Sequence, residues 1–231
     1  MGFLKRLFNN TQPEDDTTPV DVSSFEQLSE EEMEAHLGVS RYGDFILTQA
    51  VRPSYDLRVM PRQGYRHDIY RDEQSRTDIP VLMASASAER LFDLFLELID
   101  PLGDEVDVVL ETSHHRDHGG HLDLYVEHLD ACVLKSKLCD YEDLLLNDGC
   151  TGIAVLNPSL PQEVQFDEHK LLIVYGKPLQ RYEQIFRHYG VPRLDDLKFI
   201  TEAEHVHSSN DEYARQFEQL QDMFGIGQAA W

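Results

Sequence analysis

The chain has 231 residues, of which 41% are hydrophobic and 10% aromatic, enough to fill one sizeable core and to exclude wholesale disorder. Its 43 acids against 20 Lys and Arg leave a net charge of −23, which argues against nucleic-acid binding by the chain as a whole. Cys132, Cys139 and Cys150 are odd in number and closely spaced, and no apolar run reaches the ~20 residues of a membrane span, so an acidic cytoplasmic protein with reduced thiols is expected.

At the N-terminus, Phe3, Leu4, Leu7 and Phe8 can share one apolar face with Lys5 and Arg6 opposite. That pattern suits weak docking to a membrane or a partner through residues 3–8, although one or two isolated helical turns are marginal in water and a frayed terminus is the plainer expectation. Residues 11–34 hold nine acids and no Lys or Arg. We read residues 1–28 as a flexible segment and acidic linker, and 29–231 as a single globular domain. Ser29 is placed to cap a helix over Glu30–Leu37, with Glu32 closing a capping box and Gly38 as the stop.

Residues 41–76 carry seven arginines against five acids. Short strands are expected at Asp44–Val51, Tyr55–Met60 and Tyr65–Asp72, as an Arg-rich antiparallel region with one wet face. Arg and Tyr together can grip phosphate or stacked bases, but pairing with the acid that dominates the rest of the chain is the expected use of these arginines.

Strand–helix alternation begins at Ile79–Ala86, followed by an amphipathic helix at Glu89–Leu98 and a near-continuous apolar strand at Val106–Leu110. The strand–helix–strand unit over 79–111 should be right-handed if its strands are parallel neighbours. Leu122, Tyr125 and Leu129 suggest a short helix, and Val133–Leu145 a longer one ending at Asn147-Asp148-Gly149, with Cys132 and Cys139 facing the core. A strand at Gly152–Leu156 precedes a hairpin with arms Glu163–Phe166 and Leu171–Tyr175 and Asp167-Glu168-His169 at its tip. A helix at Leu179–Tyr189, a strand at Lys198–Thr201 and a final amphipathic helix at Glu212–Phe224 complete an α+β class, a mixed β-sheet with helices packed on it.

The densest candidate site is Ser113-His114-His115-Arg116-Asp117-His118-Gly119-Gly120-His121, where four of the eleven histidines fall together. Imidazole and carboxylate are ligands for zinc and related metals, and the run follows a buried strand, where α/β arrangements gather their ligands. The stretch from Val106 through Gly120 resembles the metal-binding segment of metallo-β-lactamase-fold hydrolases, an apolar strand followed by Thr-His-x-His-x-Asp-His-x-Gly-Gly. The resemblance implies a two-metal site hydrolysing esters, amides or phosphodiesters. His115, Asp117 and His118 match the second histidine, the aspartate and the third histidine, whereas Ser113 stands in place of the first and the glycine pair comes one residue early.

His205-Val206-His207, on a strand continuing from Ile200, would set two imidazoles on one face. With Glu202 or Glu204 they could complete a site begun by His115 and His118. The candidate metal ligands are thus His114, His115, Asp117, His118, His121, His205 and His207, with zinc as the possible ion. A polar loop whose histidines pair with abundant acids is the plainer alternative, and no cofactor is then needed. No Walker, Rossmann or Gly-x-Ser-x-Gly pattern occurs. The leading functional expectation is a non-catalytic interaction or regulatory module with a protein partner. The alternative is a metal-dependent hydrolase using loop 113–121.

Overall fold

A computed structural model describes residues 23–72, 77–114 and 122–226. The docking segment at 3–8, most of the linker, and the candidates His115, Asp117, His118 and His121 lie outside these residues.

In chain order the elements are α1 (Glu30–Leu37), β1 (Arg41–Tyr42), β2 (Phe45–Ile46), β3 (Val51–Pro53), β4 (Gly64–Asp72), β5 (Thr77–Ser85), α2 (Ala88–Ile99), β6 (Glu105–Thr112), β7 (Leu122–Asp130), α3 (Ala131–Cys139), α4 (Glu142–Asn147), β8 (Thr151–Leu156), β9 (Glu163–Phe166), β10 (Leu172–Tyr175), α5 (Gln180–His188), β11 (His205–His207) and α6 (Asp211–Met223). The fold is α+β. Seven strands form the main sheet in the order β4-β5-β10-β9-β8-β6-β7, and β11 pairs with β3 in a separate two-stranded ribbon. Every ladder is antiparallel, and the parallel contact found among the described residues is an isolated bridge between Tyr65 and Arg193.

Strand alternation sorts the sheet into two faces. Leu82, Ala84, Val108, Leu110, Val155, Val164, Leu172 and Val174 join the core with the apolar sides of the helices. The amphipathic helix α2 contributes Leu91, Phe92, Leu94, Phe95, Leu98 and Ile99, all buried, and Phe95 meets Phe166 of β9 at 5.2 Å between ring centroids. The opposite face carries Val81 and Ile173 at one side, Val109, Ala154 and Leu156 at the other, and the carboxylates of Glu111 and Glu163 between.

Several local expectations change on contact with this topology. β5 and β6 run in the same direction, but β10, β9 and β8 separate them, so the condition for a neighbouring parallel pair is not met. Residues 122–130 form β7 instead of a short helix, because the strand pairs along β6 from Glu105–Asp130 to Thr112–Leu122. Its 3–4 spacing of apolar residues was outweighed by ladder hydrogen bonds that an edge strand gains from a preceding partner.

The long helix expected over 133–145 is two helices, α3 and α4, broken at Asp140-Tyr141. Cys132 and Cys139 are exposed, since α3 turns Ala131, Leu134 and Leu138 inward. Tyr55–Met60 forms turns rather than a strand. In place of a strand at Lys198–Thr201 there is a single 3₁₀ turn at Ile200–Glu202, held by the Glu202 carboxylate accepting from the Phe199 amide at 2.9 Å.

The capping box on α1 forms as read, with Ser29 and Glu32 exchanging hydrogen bonds. Ahead of it, the Ser24 amide donates to Glu204 at 2.8 Å, and the Ser23 hydroxyl donates to the same carboxylate. The arginines of the basic window are put to structural use. Arg66 pairs with Glu202 and Asp68, Arg62 with Asp196 and Arg58 with Asp56. Arg52 is buried and donates to the carbonyls of Leu37, Thr48 and Val51. No described helix is long and apolar enough to cross a membrane.

Candidate metal centre

Two structural units bring three histidines together. The tip of the β9–β10 hairpin presents His169, and β11 presents His205 and His207 on one side of a strand. The ligand atoms of the three rings lie within 4.8 Å of one another. Ring centroids are 5.0 Å apart for His169 and His205, 4.7 Å for His169 and His207, and 5.1 Å for His205 and His207.

The hairpin tip is clamped by its own residues. Asp167 Oδ1 accepts from the Leu171 amide at 2.8 Å, and the Asp167 amide donates to the Leu171 carbonyl at 3.1 Å. Lys170 closes the turn with φ at 63°, a left-handed conformation that a residue with a Cβ seldom adopts. Its side chain is buried, the ammonium donating to the Thr151 carbonyl at 2.8 Å and lying over the Phe166 ring. Burial pulls the Lys170 pKa down to about 8 against the nearby charges of Asp148, Asp167 and Glu168.

On the other side, β11 is held through Val206 opposite Arg52 and His207 opposite Val51. The ribbon continues into a three-way junction where the Ser208 amide donates to Ala50 and the Gly149 amide to Ser208, each at 2.8 Å. Gly149 has no room for a side chain. A Cβ there would stand 2.5 Å from the Ala50 carbonyl and 2.9 Å from that of Ser208. Gly149→Ala is therefore expected to destabilise the fold by about 1–3 kcal/mol, read from urea midpoints, because backbone on two sides must move. A variant as stable as the parent would show that this junction is loose.

Each of the three imidazoles has its Nδ1 already engaged. His207 Nδ1 meets the Gly149 carbonyl at 2.6 Å, His205 Nδ1 the Ala203 carbonyl at 2.8 Å, and His169 Nδ1 a carboxylate oxygen of Asp167 at 3.0 Å. A carbonyl oxygen only accepts, so Nδ1 carries the proton in His205 and His207, and Nε2 is left with its lone pair. Acceptors behind the ligating rings of this kind orient metal-bound histidines and raise their basicity.

Burial keeps His207 neutral, its pKa pulled down to about 4 with the other two imidazoles adding to the effect. For His169 burial also disfavours charge and is the largest single influence, but the bond to Asp167 together with the charges of Asp167 and Glu168 outweighs it, and the net shift is upward. Zinc with Zn–N of about 2.0–2.1 Å sets tetrahedral donors roughly 3.3 Å apart, so rings whose ligand atoms lie within 4.8 Å of one another need close by no more than about 1.5 Å. A cavity of about 30 Å³ adjoins His169, with Thr48, Ser85, Lys170 and Lys198 among its walls, room for one water. A larger groove, about 970 Å³, opens at the far end of the sheet, by Asp107 of β6 and Leu156 of β8.

The sequence candidates separate in this arrangement. His205 and His207 share a site, as their spacing implies, but the described partner they meet is His169. Glu202 and Glu204 are committed elsewhere, to Phe199 with Arg66 and to Ser23 with Ser24. His114 joins a different group, its Nε2 bonded to Asp148 Oδ2 at 2.8 Å, with Cys150 also in range. Of the residues not singled out beforehand, His169 was legible as a hairpin tip. Asp148 and Cys150 offered only a helix stop and a lone thiol. Compared with protein-family models, curated proteins and solved structures, the chain matches none of them.

Proposed function

We propose that this chain is a metal-binding protein in which His169, His205 and His207 hold one divalent transition-metal ion, zinc being favoured by the ligand type. The observation that carries the reading is the oriented set of three rings, each with Nδ1 occupied and Nε2 free. An all-imidazole set suits zinc, copper, iron or nickel and does not suit calcium or magnesium, which take oxygen ligands. The ion would fasten the β9–β10 tip to the β3–β11 ribbon. Such a junction suits a regulatory or interaction module whose folded state answers to metal supply, with an acidic surface open to a protein partner.

The decisive experiment is elemental analysis of protein purified without a histidine tag. One zinc equivalent per chain should be lost in His169→Ala and in His207→Ala, with circular dichroism unchanged. Equal zinc in parent and variants would refute the site.

A second reading, a metal-dependent hydrolase, is favoured by one feature. Three protein ligands leave tetrahedral zinc a position for water, the arrangement of catalytic rather than structural zinc. Zinc-loaded protein would then hydrolyse an activated ester or phosphodiester faster than free zinc at equal concentration, and His207→Ala would not.

A further inference from the structure

A second group of donors lies across the same junction, on the far side of Gly149. Its members are His114, just past the end of β6, and Asp148 and Cys150, which flank Gly149 between α4 and β8. Their ligand atoms lie within 4.8 Å of one another. The sheet makes this meeting. Thr112 pairs with Thr151 at the end of the β6–β8 ladder, and the Ser113 amide donates to the Cys150 carbonyl at 3.0 Å. That bond delivers the next residue, His114, onto the loop before β8.

We propose that His114, Asp148 and Cys150 form a second, sulfur-containing site for a zinc-type cation, distinct from the three-histidine centre. Asp148 is fully buried and Cys150 is 8% exposed, so these are not solvated surface groups. Asp148 Oδ2 accepts from His114 Nε2 at 2.8 Å and from the Thr151 hydroxyl at 2.5 Å. Its other oxygen, Oδ1, is buried and makes no hydrogen bond of normal geometry, and the Ser209 side chain is a further polar neighbour of the carboxylate.

A buried carboxylate oxygen with an unused lone pair is costly and calls for a partner. A cation seated against Oδ1, with imidazole and thiolate completing the set, supplies one. Lys170, on the hairpin side, is a charged neighbour of Asp148 and Cys150, and its ammonium is turned to the Thr151 carbonyl. Binding takes the Cys150 thiol to thiolate and releases its proton to solvent as the metal–sulfur bond forms. His114 keeps its Nε2 proton, donated to Asp148, and binds as neutral imidazole through the lone pair of Nδ1. Thiolate, imidazole and carboxylate together select zinc or cobalt over magnesium or calcium.

Only the second centre contains sulfur, and this makes the two separable. Cobalt(II) bound by three imidazoles gives only weak visible bands, whereas cobalt bound to Cys150 adds a thiolate-to-metal charge-transfer band in the near ultraviolet. The test is a cobalt titration of tag-free protein in a Cys132→Ser/Cys139→Ser background, which removes the two exposed thiols. The expected result is a near-ultraviolet band that appears in this background, saturates at one equivalent in its His207→Ala derivative, and vanishes in Cys150→Ser.

Cobalt bound with no such band, or a band that survives Cys150→Ser, would overturn this site. A fall from two bound cobalt equivalents to one in His207→Ala, with the ultraviolet band intact, tests the first centre separately. Should Cys150→Ser not fold, His114→Gln serves in its place, and an undiminished band there counts against the proposal.

Discussion

Zinc in large excess is expected to stabilise the parent chain by about 4 kcal/mol more than it stabilises His207→Ala. That figure is the mass-action gain for a ligand at roughly a thousand times its dissociation constant that binds only the folded state. The folded-state preference follows from chain distance. His169 sits on a hairpin tip, and His207 lies beyond α5 and the 3₁₀ turn, so an unfolded chain does not hold these rings together. The measurement is the urea midpoint of each protein with zinc and with chelator. An equal zinc-dependent shift in parent and variant would mean that the ion acts elsewhere.

The second large effect concerns the sheet face away from the helices. Burial raises the Glu111 pKa to about 8, against the opposing hydrogen bond from Gln165 and with help from the charges of Asp123, Asp167 and Glu168. Gln165 Nε2 donates to both carboxylate oxygens at 3.1 Å. Glu163, 2% exposed on the same face, is pushed well above the ordinary carboxylate range by its own burial and by Glu111.

The folded state thus holds protons that the unfolded state releases above its own carboxylate pKa of 4.5. Stability from this group is full below that value and falls as pH rises through about 8. Each pKa unit is worth about 1.4 kcal/mol, so Glu111→Gln should gain a few kcal/mol over the parent in mildly alkaline buffer and almost nothing in acid. Glutamine keeps the shape and the acceptor for Gln165. Urea midpoints of both proteins across that range provide the check, and parallel pH profiles would show that Glu111 is not buried neutral.

Much of the local structure was legible because local physics decides it. The capping box at Ser29 and Glu32, the apolar stripe of α2 and the β9–β10 hairpin each follow from spacing within a dozen residues or so. Residues 122–130 resisted because Leu122, Tyr125 and Leu129 satisfy a helical period, while the chain's real gain came from the ladder along β6. The site was half legible for the same reason. The alternation in His205-Val206-His207 places two imidazoles on one face whatever the surroundings. Their third partner and the acceptors behind the rings depend on which strands meet.

By itself, then, the sequence determined most of the element types, the α+β class and the placing of His205 and His207 on one face, since each is set by periodicity along a short stretch of chain. Only the tertiary structure decided that the β9–β10 hairpin and β8 stand between β5 and β6, and that the β3–β11 ribbon docks where Gly149 leaves room. Those two placements carry His169 to His205 and His207, and Asp148 and Cys150 to His114. Strand order is settled by long-range burial and ladder closure, which leave no period in the sequence to read.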